Sequence, residues 1–425
     1  MSSRYRVEYQ LKAHRKDAFI EWIKGLLAVP FVLHSVTERD NAQEKYRRVF
    51  EDVETLINEK ITVDSDESLT RAAGVSRLDK LVPTIGTFFT PLPLTEAFLR
   101  QNARRAISER AYVSPSFNDI RHILNTAQIV QLARAGELSL VTFDGDVTLY
   151  EDGASLAAED KVIGRLLRLL GAGMHVGIVT AAGYDDAENY ERRLFGLLRR
   201  LERADLPNEA KRRLCVMGGE SNFLFRCYER DGRAGFERVP ESVWMSAELH
   251  QWNQQDINAT LDLAEVMLRA LREKLRLPAE TQIIRKVRAV GIVPGQRFDP
   301  ELGREIRVPL LRETLEEIVL TVQGRLENFP PAQRVQFSCF DGGSDVWCDI
   351  GGKDLGVAFL QRFYSPERPI RPEQSLHVGD QFAPVGSAND FKARLAGCTA
   401  WISSPQETVA LLDDLLAELE AQKNM

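Results

Sequence analysis

Two aspartates separated by one residue, Asp144 and Asp146, follow directly on the apolar run Ser139-Leu-Val-Thr-Phe143. A carboxylate at a strand end can attack phosphorus to give an aspartyl-phosphate. A second one two residues later can protonate the leaving oxygen and then activate water. Gly145 lets the chain turn sharply enough for both to face one site. The competing reading is an ordinary Asp-Gly turn.

Three further segments carry groups suited to the same chemistry. Thr180 ends the apolar run His175-Val-Gly-Ile-Val179 with Ala181-Ala-Gly183 behind it, offering a hydroxyl and backbone N–H groups to phosphoryl oxygens. Lys353, in Asp349-Ile-Gly-Gly-Lys353, brings an ammonium to a glycine turn, where it would offset charge on those oxygens; a solvated surface lysine is the alternative. His377-Val-Gly-Asp380 leads into Asn389-Asp390. Asp144 and Asp380 supply the one or two carboxylates that Mg²⁺ usually takes from protein, with Asp390 holding a coordinated water. Alternatively, Asn389-Asp390 caps the helix that follows.

Such groups must be held at the carboxyl ends of parallel strands, where ligands bind in open α/β sheets. Strands are predicted at Leu138 to Phe143, Val176 to Val179, Leu376 to Val378 and Cys398 to Ile402, with a helix from Leu156 to Leu170 between the first two. The long interval between the second and third contains a charged helix from Ala187 to Ala204, helices from Asp256 to Leu275 and Pro309 to Leu326, and a strand from Gln282 to Val293. Val335 to Phe340 and Asp345 to Ile350 read as a hairpin joined by Asp341-Gly-Gly-Ser344. The predicted division is a helical N-terminal domain at 1–135, a parallel-sheet core at 136–184 and 335–425, and an inserted α/β cap at 185–334. In the first of these, Ser114-Pro-Ser-Phe-Asn-Asp119 offers caps for a helix that Gly136 stops, and 65–91 is broken by Gly74, Pro83, Gly86 and Pro91.

Composition narrows the partners. With 44% hydrophobic and 28% charged residues among 425, the chain is expected to be globular. A net charge of -7 argues against a nucleic-acid or anionic-membrane binder. No stretch reaches the roughly 20 apolar residues of a membrane span. Five cysteines without metal-ligand spacing suit free thiols in a reducing compartment, so a cytoplasmic location is expected.

Asp144, Asp146 and Thr148, then Thr180, then Lys353, then Gly379-Asp380 with Asn389-Asp390 occur in the order of the haloacid dehalogenase superfamily, which the sequence resembles over 136–184 and 335–425. The eight residues between Asp380 and Asn389 are more than its members usually have. The helical extension, Thr142-Phe-Asp-Gly-Asp-Val-Thr148, Phe340-Asp-Gly-Gly-Ser-Asp345 and His377-Val-Gly-Asp-Gln-Phe382 further resemble the IMP-specific 5'-nucleotidases of fungi and protists, over nearly the whole chain.

That resemblance implies hydrolysis of inosine 5'-monophosphate (IMP) with Mg²⁺, a homotetramer and activation by ATP at a separate site. It makes Asp144 nucleophile and metal ligand, Asp146 proton donor and ligand through its carbonyl, and Asp380 the third ligand. Thr180 and Lys353 would grip the phosphate, with Asp146, Asp152 and Asp345 as further substrate contacts. Without the resemblance, Asp152 and Asp345 are turn-forming residues. For the base, the sequence offers Phe223, Phe225, Tyr228, Trp244 and Trp252, each equally a core aromatic. His122 is a candidate for the ATP site or a pH-sensitive contact. Two other functions fit the motifs: a sugar phosphomutase-like phosphotransferase, and a catalytically silent nucleotide-binding regulator, which would have no need to keep both Asp144 and Asp146.

Overall fold

The computed structural model describes residues 17–36, 41–65, 75–245, 252–382 and 389–423. Gly74 and most of the interval between Asp380 and Asn389 lie outside them.

The larger sheet has seven strands. In spatial order the first five, β13 (Cys398–Trp401), β12 (Ser375–Gly379), β1 (Leu140–Phe143), β2 (His175–Val179) and β3 (Leu214–Gly218), run parallel. β4 (Phe223–Arg230) and β5 (Arg233–Arg238) extend it antiparallel. The central strands are buried throughout because both faces are covered, which explains their unbroken apolar runs. One face packs on helices Lys161–Gly171, Ala187–Arg193, Phe195–Arg203 and Pro405–Lys423; the other receives Phe359 and Leu360 of helix Lys353–Tyr364. The architecture is α/β with a mixed, mainly parallel sheet.

A second, antiparallel sheet is built, in spatial order, from β10 (Phe337–Asp341), β11 (Val346–Ile350), β7 (Ala289–Val293) and β6 (Gln282–Arg285), and β8 (Gln296–Asp299) with β9 (Arg304–Arg307) forms a separate antiparallel pair. Val290, Ile292, Val346, Cys348 and Ile350 pack against helices Gln254–Lys274 and Arg312–Leu326. Alternation turns Asp345, Trp347 and Asp349 to the opposite face.

Sheet membership runs across the predicted boundaries at 185 and 335. β3 to β5 fall within the stretch assigned to the cap yet complete the larger sheet, because the Leu-Cys-Val-Met run of β3 is apolar on both faces and pairs with β2. The 337–350 hairpin, assigned to the core, pairs with β7 through β11 and packs Val346, Cys348 and Ile350 on the smaller sheet's helices. The predicted strand from Gln282 to Val293 is itself a hairpin, β6 turning into β7. The helix predicted from Ala187 to Ala204 is two, broken at Leu194, where Gly196 abuts the backbone of Ala157 with no room for a side chain.

The N-terminal helices Ala18–Val36, Ala42–Ser65, Leu94–Arg105 and Phe117–Ala135 bury a core of their own that also takes in Phe382 and Trp401. Helix Phe117–Ala135 opens with a capping box of Ser116 and Asp119 and closes on Gly136 at φ +67°. Asp119 also binds Arg105 at 3.0 Å and Arg110 at 2.7 Å. Asp119→Ala should therefore lower stability by about 2 kcal/mol through loss of the cap, the freed arginines remaining partly hydrated. Urea denaturation reads this directly, and a change under about 0.5 kcal/mol would contradict the assignment.

All five cysteines are buried and free. Among the described residues no helix is long and apolar enough to cross a membrane.

Candidate active site

Asp144 follows β1, Thr180 follows β2 and Asp380 follows β12, so three adjacent parallel strands deliver them to one edge. Lys353 comes from elsewhere, the first turn of helix Lys353–Tyr364. Its ammonium is fully buried and lies 2.9 Å from Asp144 Oδ1 and 2.5 Å from Asp390 Oδ1. A surface lysine is thus excluded. Burial alone would strip its proton, but Asp144, Asp390 and Glu220 hold its pKa well above the usual lysine range.

Asp390 is a support for this group. Its Oδ1 meets Lys353 and, at 3.1 Å, His377 Nε2; its Oδ2 accepts N–H groups of Asp380 and Gln381 at 3.0 and 2.9 Å. These four bonds fill the acceptor capacity of a carboxylate, leaving none for a coordinated water. Against the cost of burial, Lys353 and His377 hold Asp390 far below the usual carboxylate range. Burial keeps His377 neutral, so Nε2 donates to Asp390 and Nδ1 accepts from the Thr142 hydroxyl at 2.9 Å. The predicted helix cap at Asn389 also differs: its amide donates to Glu220 Oε1 at 3.3 Å.

The Asp144 carboxylate accepts the Gly145 N–H at 2.7 Å. Burial, with Asp390 and Asp146 nearby, raises its pKa to about 7 against the pull of Lys353. Burial and the charges of Asp390 and Asp144 push Asp380 well up too. Carboxylate oxygens of Asp144, Asp380 and Asp390 come within 4.8 Å of one another, with one lysine among three acids. That excess of acceptors fits a divalent cation held by Asp144 and Asp380, since Asp390 is already saturated.

Asp146 points toward the loop ahead: Oδ1 accepts Gly153 N–H at 2.9 Å, and Arg193 reaches both oxygens at 3.3 Å. A Cβ at Gly145 would lie 2.4 Å from the Tyr150 hydroxyl, so a larger residue there would displace that ring. The Thr180 hydroxyl accepts Ala182 N–H at 3.1 Å and lies across from Gly145.

These groups open into a cavity of about 800 Å³ between the two sheets, lined also by Asp152, Asp345, Asp341, Asp349, Trp347, Phe340 and Phe223. Asp152 approaches Gly343 on the β10–β11 turn, and Asp345 feels its charge; burial raises the pKa of Asp345. Of the five aromatics named from sequence, Phe223 alone lines the cavity; Phe225, Trp244 and Trp252 pack in apolar clusters, and Tyr228 carries Arg230 over its ring. Trp347 and Phe340, on a hairpin assigned from sequence to the core, line the cavity as well. The alternation Asp345-Val-Trp-Cys-Asp349, which sets three of these side chains on one face, was the available signal.

His122 sits outside this cavity, beside buried Arg121 and 3.6 Å from Glu407. Burial and Arg121 lower its pKa to about 3.

A model of the IMP-specific 5'-nucleotidase family matches residues 1–412. The chain belongs to that family. It is accordingly a nucleotidase. Proteins named IMP-specific 5'-nucleotidase 1 from Candida glabrata and Saccharomyces cerevisiae are each 57% identical to it, over 98% of this chain and 99% of theirs. An IMP-bound Plasmodium falciparum IMP-nucleotidase superposes with a TM-score of 0.81 at 31% identity, covering 96% of both chains. An ATP-bound structure of the Plasmodium protein gives 0.77 at 30%, covering 97% of this chain and 88% of that one. The family and this structural likeness give the larger sheet its haloacid-dehalogenase-like character.

Proposed function

We propose that the protein hydrolyses IMP to inosine and phosphate through a phosphorylated Asp144. The observation that carries this is the convergence of Asp144, Thr180 and Asp380 at one end of the cavity, with Lys353 buried behind them 2.9 Å from Asp144 and with aromatic and acidic groups of the second sheet facing them. We read that second sheet with its helices as the cap, and the N-terminal helices as the regulatory and oligomerisation unit.

Asp144 Oδ attacks phosphorus as the bond to the ribose 5'-oxygen breaks, and Asp146 donates the proton that 5'-oxygen takes up. Asp146 then removes a proton from water as its oxygen attacks the phosphoryl group, restoring the Asp144 carboxylate and releasing phosphate. Lys353 and Thr180 hold the phosphoryl oxygens, and Asp390 with His377 keeps Lys353 charged and aimed. Mg²⁺ held by Asp144, Asp380 and the Asp146 carbonyl would neutralise phosphoryl charge. Asp152 and Asp345, which line the cavity, would contact ribose or hypoxanthine.

Trp347 and Phe340 form the platform for the purine. The Trp347 ring lies over Gly291, where a Cβ would fall 2.5 Å from it, and Lys286 stands 4.5 Å above the ring centroid. Trp347→Ala should raise KM for IMP about tenfold, as expected for about 1.4 kcal/mol of lost stacking, with kcat nearly unchanged. An unchanged KM would remove Trp347 from the base site.

A phosphate-release screen of nucleoside monophosphates, with and without Mg²⁺ and ATP, tests the function. Release is expected from IMP in preference to AMP and GMP, absent with chelator and faster with ATP. Isomerised hexose phosphate instead of free phosphate would favour the phosphotransferase, and nucleotide binding without turnover the silent regulator. ATP activation rests on the family resemblance and on the ATP-bound Plasmodium neighbour; a homotetramer, testable by light scattering, rests on the resemblance alone.

A further inference from the structure

The turn after β3, Met217-Gly-Gly-Glu-Ser-Asn222, is unlike any other segment among the described residues. Gly219, Glu220 and Ser221 have φ of +60°, +50° and +80°, the only run of three consecutive left-handed residues there. Two of the three carry side chains, for which that conformation is unfavourable, and it persists only where surrounding structure imposes it.

The surroundings here are the phosphate-gripping groups. Glu220 N–H donates to the Thr180 carbonyl at 3.3 Å, and the Glu220 carbonyl accepts Gly352 N–H at 3.0 Å. Ser221 Oγ donates to the Gly352 carbonyl at 2.8 Å, and the Asn222 amide donates to the Ile350 carbonyl. The turn therefore fastens the residue before Lys353 to Thr180. Gly351, at φ +113°, fits only without a side chain, since a Cβ would lie 2.0 Å from the Glu220 carbonyl oxygen.

The Glu220 side chain adds a third link. It is fully buried, and its Oε1 accepts the amide of Asn389, the neighbour of Asp390. Asn389 borders the cavity. One residue thus touches the loops that carry Thr180, Lys353 and Asp390, by two backbone bonds and one side-chain bond.

We propose that Glu220 is a positioning residue for phosphoryl transfer, its carboxyl tying the Asn389-Asp390 segment to the strained turn that holds Thr180 and Lys353 in register. The proposal rests on the reading of this cavity as the phosphoryl-transfer site. Burial lifts the Glu220 carboxyl to about 7, consistent with a group kept for its hydrogen bond.

Glu220→Gly separates the side chain from the backbone, because glycine adopts the left-handed conformation without strain and preserves both backbone bonds. The expected result is a kcat for IMP about tenfold lower with KM within twofold, weaker inhibition by orthovanadate and unchanged inhibition by inosine, at an unaltered melting temperature. Glu220→Gln, which keeps an oxygen for Asn389, should recover most of kcat. A purely structural role would instead lower the melting temperature and leave kcat and orthovanadate inhibition alone. Wild-type kcat in folded Glu220→Gly overturns the proposal. Should that variant fail to fold, Asn389→Ala breaks the same link from the other side, and its kcat must fall about tenfold or the proposal is wrong. Wild-type protein that releases no phosphate from IMP would sink the functional reading itself, a result distinct from any of these.

Discussion

Asp144→Asn should abolish phosphate release from IMP, a loss of about 10⁴-fold or more, roughly 5.5 kcal/mol of transition-state stabilisation, with binding of IMP retained. The amide has the carboxylate's volume but no nucleophilic oxygen anion, and Lys353 still has Asp390 at 2.5 Å. The fold should therefore survive, with a melting temperature close to that of the wild type. Malachite-green phosphate detection and a thermal melt on the same preparation check both halves. Residual turnover within tenfold of wild type would remove Asp144 from the chemistry, and an unfolded variant would show that the residue is mainly structural.

The second large effect is expected at Lys353. Lys353→Met retains much of the side-chain volume but leaves Asp144 and Asp390 buried without their shared cation. Removing one partner of a buried ionic cluster costs about 3–5 kcal/mol, and losing the charge proposed to hold the phosphoryl oxygens costs about 10²–10³-fold in kcat. Both losses should appear together, in urea denaturation and in steady-state kinetics. If stability fell by less than about 1 kcal/mol, the buried ammonium would not be the electrostatic hub drawn here. If kcat were untouched, Lys353 would serve the fold alone.

Asp144, Thr180 and Asp380 were legible because each ends an apolar run, and a parallel sheet brings strand ends together whatever lies between them. Lys353 was legible as a motif but not as an environment. Nothing in Gly-Gly-Lys foretells complete burial, which depends on Asp390 arriving from 37 residues away. The role of Asp390 changed for the same reason: both its oxygens are spent on Lys353, His377 and two backbone N–H groups, a saturation visible only in three dimensions.

The cap side of the site was less accessible. The hairpin carrying Asp345, Trp347 and Asp349 has the same alternation in either sheet, and sequence does not say which edge it joins. Placing it in the core hid Trp347 and Phe340 and directed attention to aromatics that pack elsewhere. Glu220 was invisible for a different reason. Its importance arises from a left-handed backbone, and Gly-Gly-Glu-Ser-Asn suggests a turn without revealing what the turn touches.

Asp144 is proposed to be the nucleophile that accepts the phosphoryl group from IMP. Rapid acid quench of a single turnover with 5'-³²P-labelled IMP tests it most directly. The expected result is transient label, sensitive to hydroxylamine, on the peptide that contains Asp144, appearing with inosine and decaying with phosphate release. Phosphate formed from IMP at full rate with no labelled protein at any time, or label on a peptide lacking Asp144, would contradict the account.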